Sequence, residues 1–175
     1  NEGTLKLGAG GTISEKRLAI NNDATFNMND QDQSLSALSS ESSDATVELG
    51  SGQLTIDKPD NGDEASFTGV ISGTGSVVKE GDGKQTLGTA NTYTGTTTVN
   101  NGTLELGFDG GVADTITNAN DATLRLNQAE NNEVMLNGLK GTGDFIKKGE
   151  GTAVLQGTSN EYGKLTVKKG NLQAS

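Results

Sequence analysis

Apolar residues recur along the chain as short pairs two positions apart. Leu5/Leu7, Leu18/Ile20, Phe26/Met28, Val47/Leu49, Leu54/Ile56, Leu104/Leu106, Leu124/Leu126, Val134/Leu136 and Leu165/Val167 all follow this spacing. Alternation over three to five residues is the strand period: each pair shares one face and the residue between points the other way. Most pairs are flanked by Gly, Asn or Asp, as in Gly50-Ser51-Gly52, Asn100-Asn101-Gly102 and Lys169-Gly170-Asn171. These residues accept the positive φ of tight turns, so the chain reads as short strands separated by corners. Helical spacing is almost missing. Ser34 to Glu41 places Leu35 and Leu38 three apart, but its serines and lack of a continued apolar stripe favour a loop or short strand.

The pattern also repeats. Gly73, Gly75, Lys79, Gly81, Gly83 and Leu87 match Gly141, Gly143, Lys147, Gly149, Gly151 and Leu155 at one constant offset. Val99, Gly102 and Leu104 match Val167, Gly170 and Leu172 at the same offset, and Tyr93 answers Tyr162 one residue out of step. A second echo links residues 1–8 with 100–107, and 22–29 with 120–127. Internal similarity of this kind means stacked units, each too small to bury its own apolar face. Strands offering only two inward side chains each are too short to stand as independent hairpins, and an antiparallel sandwich would use longer, more aromatic ones. Coiling the chain so that equivalent strands stack in parallel solves the burial problem. The expected fold is all-β, a right-handed parallel β-helix, the hand taken from precedent for such solenoids. Residues 1–175 form one segment of a longer protein, with related units at about 1–99 and 100–175. Asn1 and Ser175 both fall in repeat-like strand sequence without a capping element, so the intact chain is expected to continue past both ends.

Composition supports a solenoid over a single layered core. Of 175 residues, 26 are glycine and one is proline, and the hydrophobic fraction of 30% is low for a globular domain. A solenoid needs only a narrow apolar stripe per coil. Low hydrophobicity with a net charge of −10 also describes disordered chains, but here the apolar residues are strictly placed. No cysteine is present, so stability has to come from stacking, a condition compatible with crossing a membrane unfolded. No apolar run approaches the ~20 residues of a spanning helix, so no membrane insertion is expected. The acidic balance and dispersed lysines (Lys147-Lys148 and Lys168-Lys169 are the longest runs) argue against nucleic acid as a partner.

Between Phe67 and Gly107 the text runs GVISGTGSVVKEGDG, then Thr86-Leu87, then ANTYTGTTTV, then NGTLELG. This stretch resembles the autotransporter-associated β-strand repeat, and residues 34–56 resemble the unit that often precedes it. The resemblance continues over 138–175, with Asn160-Glu161-Tyr162-Gly163 in place of Asn91-Thr92-Tyr93-Thr94-Gly95. Repeats of this family form passenger regions of type V secreted proteins of Gram-negative bacteria. The resemblance implies a β-helical stalk at the cell surface or secreted, exported through a C-terminal translocator barrel of the same chain. It identifies no ligand, because such repeats serve adhesins, protease-bearing passengers and surface scaffolds alike.

Candidate chemistry is sparse. With no histidine and no cysteine, Ser-His-Asp and Cys-His catalysis and the common zinc sets are excluded. Gly81-Asp82-Gly83-Lys84 suggests a phosphate loop, but Val78 stands where the upstream glycine belongs and Gln85 follows the lysine; a repeated turn explains it better. Asp30 and Asp32 share a face if extended, which would suit glycoside hydrolysis or Ca²⁺, yet no arginine or sugar platform is near in sequence and the reading is a solvated loop. Arg17 and Arg125 are the only arginines for a polysaccharide cleft. Tyr93 and Tyr162 read as rings covering corners, hydroxyls in water, rather than binding anchors. Asn101-Gly102-Thr103 is a sequon that reads as a turn. Leu104 and Leu106 should point inward, and Thr103 and Glu105 outward, where substitution is tolerated. No catalytic, cofactor-binding or metal site is assigned, and no cofactor. The function expected is a structural, autochaperone-like stem contacting its own neighbouring coils. An adhesive surface for a host protein, a glycan or sister molecules is the alternative, and a polysaccharide-active enzyme ranks last.

Overall fold

The computed structural model describes residues 3–13, 16–57, 64–107, 110–112, 115–157 and 159–174; Asn1 and Ser175, where the sequence places open ends, lie outside the described residues. The described residues form strands of three to seven residues joined by turns, and every strand pairing is parallel. They stack as a β-solenoid of about 8 turns without helix. Partners in register lie one coil apart in the sequence, as Lys84 with Thr103 and Val47 with Ile71. The window at Ser34 is a strand, Gln33–Ser39, whose serines at 34 and 36 face outward and leucines at 35 and 38 inward.

The coil has three faces. Face 1 carries Thr4–Lys6, Thr25–Asn27, Thr46–Glu48 and Val70–Ser72. It continues through backbone bonds from Thr92 to Ile71 and a bridge of Ala90 with Gly111, then through Glu133–Leu136, Thr152–Leu155 and Asn171–Ala174. Face 2 stacks Lys16–Ala19, Gln33–Ser39, Leu54–Asp57, Val77–Glu80, Thr97–Val99, Ile116–Asn118 and Leu139–Gly141. Face 3 stacks Ala65–Phe67, Lys84–Leu87, Gly102–Leu106, Ala122–Leu126, Asp144–Lys147 and Leu165–Val167. Inward columns run along the coil: Phe26, Val47 and Ile71 on face 1; Leu104, Leu124 and Phe145 on face 3. All are essentially buried, each worth roughly 1.5–3 kcal/mol relative to exposure. Leu104 and Leu106 point inward as the alternation requires.

Corners admit coils at strand spacing because side chains are absent there. A Cβ on Gly75 would stand 1.9 Å from the carbonyl oxygen of Gly52 in the preceding coil. Gly102, at φ 64°, turns the chain between faces 2 and 3, where a Cβ would meet the Gly81 carbonyl at 2.4 Å.

The long repeat does not return to its own face. Val70–Ser72 lies on face 1 and its counterpart Leu139–Gly141 on face 2; Val77–Glu80 and Thr97–Val99 lie on face 2, with Asp144–Lys147 and Leu165–Val167 on face 3. Likewise Lys84–Leu87 and Gly102–Leu106 on face 3 correspond to Thr152–Leu155 and Asn171–Ala174 on face 1. One repeat therefore spans three coils plus one face, and its second copy is turned by a third of a coil.

Candidate functional site

The interior holds polar side chains that the alternation alone does not announce. Lys79 and Lys147 occupy matching places in the two copies and both are fully buried. Lys79 Nζ donates to the carbonyls of Glu80, Gly81 (2.6 Å) and Asn101 (3.4 Å). Lys147 Nζ donates to those of Gly149 and Lys169 (3.4 Å). Asn101 and Lys169 are again counterparts in the two copies. Each ammonium ties a glycine corner to the same corner of the following coil. Desolvation holds the Lys147 ammonium below the ordinary lysine range, partly opposed by Glu150. The sequence offers Lys147-Lys148 only as one of the dispersed basic pairs; the structure divides it, putting Lys147 inside and Lys148 outside. The signal available was the strand alternation through Phe145 and Lys147, which assigns both to one face.

Buried amides do similar work where a ladder is interrupted. Leu38 pairs with Leu18 in one neighbouring coil, while on the other side the strand Ala65–Phe67 joins this stretch by an isolated bridge of Phe67 with Ser40, just past Gln33–Ser39. Gln85 reaches across instead: its Oε1 accepts from the Leu38 N–H (3.3 Å) and its Nε2 donates to the Leu38 carbonyl (2.9 Å). A carboxamide carries the same donor–acceptor pair as a peptide group, so it bonds the Leu38 backbone as a strand neighbour would. Gln33 serves Ile13 (2.8 Å) and Gly11 (3.1 Å) in the same way. Asn91 accepts from Ile71 N–H (2.9 Å) and Asn160 from Leu139 N–H (2.9 Å) at matching corners.

The other sequence candidates are structural. Asp30 and Asp32 are exposed residues of the turn and loop before Gln33–Ser39, and each also pins the next coil: Asp30 accepts from Ser51 N–H (2.8 Å) and Asp32 from Gln53 N–H (2.8 Å). Gly81-Asp82-Gly83 is a turn, with Gly81 at φ 66°. Asn101 donates to Asp82 (2.7 Å) and caps Gly102 N–H (2.9 Å). Tyr93 departs from the expectation of a hydroxyl in water: it is wholly buried and bonded to Thr97 Oγ1 (2.6 Å), and burial pushes its pKa above the usual range. Its counterpart Tyr162 is 38% exposed, 6.4 Å from the Phe145 ring. Arg17 on face 2 and Arg125 on face 3 are not brought together. Among the described residues no three acidic, His or Cys side chains converge as a metal site.

Glu105 is outward on face 3 but only 5% exposed, because Lys84 (3.9 Å), Arg125 (3.3 Å) and Lys148 (4.0 Å) close over it. The outward assignment holds, but the ion pairs replace the free surface position on which the expected tolerance of substitution rested. Lys84 also pairs with the exposed Glu64 (2.8 Å), which lowers that carboxyl's pKa. A polar groove of about 1000 Å³ lies where face 3 is interrupted, lined by Asn21, Ser39, Ser40, Ser42, Glu64 and Ser66. A second, of about 630 Å³, lies at a corner beside Lys148 and Lys168.

Comparison with known proteins agrees with this architecture. The model of the passenger-associated-transport-repeat family matches residues 77–106 and 145–174, the segments that hold the two buried lysines. The adhesin BmaC autotransporter of Brucella suis biovar 1 (strain 1330) is 32% identical over 179 residues, covering 90% of this chain. The chain spans 5% of that relative's length. No solved structure matches it. Repeat, relative and parallel coil together make the chain a passenger region of an autotransporter, surface-exposed on or secreted from the outer membrane of a Gram-negative bacterium.

Proposed function

We propose that this segment is the load-carrying stem of an adhesin-type passenger, linked to a translocator domain of the same chain, and that its stacked coils template the folding of their neighbours during export. One observation supports this above others. What the two repeat copies share is interior and corner: Lys79 with Lys147, Gly81 with Gly149, Asn91 with Asn160, Gly102 with Gly170. Outward positions reverse in charge or polarity, as Glu80 against Lys148 and Asn100 against Lys168, while interior differences such as Val77 against Phe145 and Gln85 against Ala153 stay enclosed in the core. Because each copy is turned by a third of a coil, equivalent outward positions face different directions. Repetition therefore reproduces a scaffold without building up one binding face. Nearest-neighbour stacking lets a folded coil present the edge on which the next one forms. The reading is non-enzymatic; its support is the stem architecture and the relative's description as an adhesin. In the parent protein, removal of residues 138–175 should reduce folded, protease-resistant passenger at the surface while barrel insertion persists. Unchanged surface display and protease resistance, with adhesion alone lost, would overturn the stem reading and favour an adhesive surface.

A further inference from the structure

Charge is unevenly placed. Residues 138–175 carry six lysines against three acidic residues, while the rest of the chain carries seven basic against twenty acidic ones. The same corner can be compared in both copies. In the first, Asn100 and Glu80 lie on adjacent coils and Asn100 Nδ2 donates to Glu80 Oε1 (2.6 Å), so the pair satisfies itself. In the second, Lys168 stands where Asn100 does and Lys148 where Glu80 does, placed by the Lys168 N–H bond to the Lys147 carbonyl (2.7 Å). Two ammonium groups one coil apart, ~4.8 Å along the axis, repel instead of bonding. Lys148 has its nearest carboxylate at 4.0 Å, in Glu105, which Arg125 already holds, and Lys168 makes no ion pair among the described residues. Glu150 at this corner is taken by Lys169, and Glu130 lines the same 630 Å³ groove.

We propose that Lys148 and Lys168, with Arg125 on the coil before, bind a linear anionic polysaccharide lying obliquely to the solenoid axis. An anionic group between the two lysines takes the place that the Glu80 carboxylate holds in the first copy. Lys148 and Lys168 follow register partners on consecutive coils, and Arg125, in register with Ile146, stands on the coil before and two residues to one side. Adjacent coils lie ~4.8 Å apart, so a chain running obliquely over this edge brings successive anionic groups to the two lysines and then to Arg125. The acidic coils elsewhere repel the same polymer, which confines binding to this corner. The inference stands apart from the stem reading, since it concerns a ligand rather than folding.

The test is calorimetric titration of the protein at 50 and 150 mM salt with a heparin-derived decasaccharide, a galacturonate decamer and an uncharged maltodextrin. Binding of either charged probe, weakening severalfold at the higher salt, is expected; which of the two binds separates sulfate from carboxylate recognition. Lys148→Glu with Lys168→Asn, which installs the first copy's pair, should keep the fold and weaken binding at least tenfold. Lys148→Gln with Lys168→Gln should do the same without a new carboxylate. Lys140→Glu, outward on face 2, should leave binding within twofold. The proposal is overturned if neither charged probe binds at 50 mM salt, if maltodextrin binds equally, if both double variants bind like the wild type, or if Lys140→Glu weakens binding as much as they do.

Discussion

Lys79 shows what a single residue contributes to this coil. Its column on face 2 reads Leu35, Ile56, Lys79, Val99, so an ammonium sits in a run of apolar side chains. Burying such a charge is costly unless strong acceptors surround it, and here backbone carbonyls of two coils provide them. Lys79→Met keeps the length and apolar stem but leaves the Glu80, Gly81 and Asn101 carbonyls without this donor, at ~1–3 kcal/mol for each group orphaned. The variant should melt several degrees lower in a thermal scan. A melting temperature equal to or above that of the wild type would mean that the carbonyls find other donors and that the charge was a net cost. The recurrence of this lysine was visible in the sequence, and so was its inward phase. Its role was not, because the carbonyl cage draws on Gly81 nearby and on Asn101 a whole coil away, and no side-chain pattern records their backbone orientation. Tyr93 and Tyr162 illustrate the same limit: identical by repetition, one is enclosed beside Thr97 and the other half-open against Phe145.

Strands and corners were better specified. Leucines two apart, bounded by glycine or asparagine, became strands of three to five residues wherever both leucines could meet a neighbour in the next coil. The Gln33–Ser39 strand is instructive, since its serines left a loop or a short strand open. Its serines lie outward, and stacking on Lys16–Ala19 and Leu54–Asp57 outweighs their weak strand preference. The Gln85 carboxamide then closes the ladder at Leu38. Gln85→Leu should fill the interior yet strand the Leu38 N–H and carbonyl, lowering stability by about 2 kcal/mol or more. Gln85→Glu should be worse, having lost the donor and gained a buried charge. Hydrogen exchange at Leu38 reports this directly: protection should fall locally in Gln85→Leu, and unchanged protection there would mean that the carboxamide is not the strand's substitute.

At the scale of the molecule, stability is shared between neighbouring coils, so the register between them matters more than any one coil's sequence. Thr4, Thr25 and Thr46 are register partners on face 1, each one coil from the next. Removing residues 25–45 joins Ala24 to Thr46 and deletes one whole coil. Thr4–Lys6 should then pair with Thr46–Glu48, at the cost of the Gln33 clamp on Gly11 and Ile13 and of the Leu38–Gln85 pair. Removing residues 25–35 deletes about half a coil and sets face-1 strands against the wrong face. Both proteins keep residues 46–175, so both should fold there and show a strand spectrum by circular dichroism. They should differ in the first coil: amide protection at Leu5 and Leu7 should survive the whole-coil deletion with reduced magnitude and vanish in the half-coil deletion. Equal protection in the two would show that the first coil is held by something other than coil-to-coil register, and the templated folding proposed for the stem would lose its physical basis.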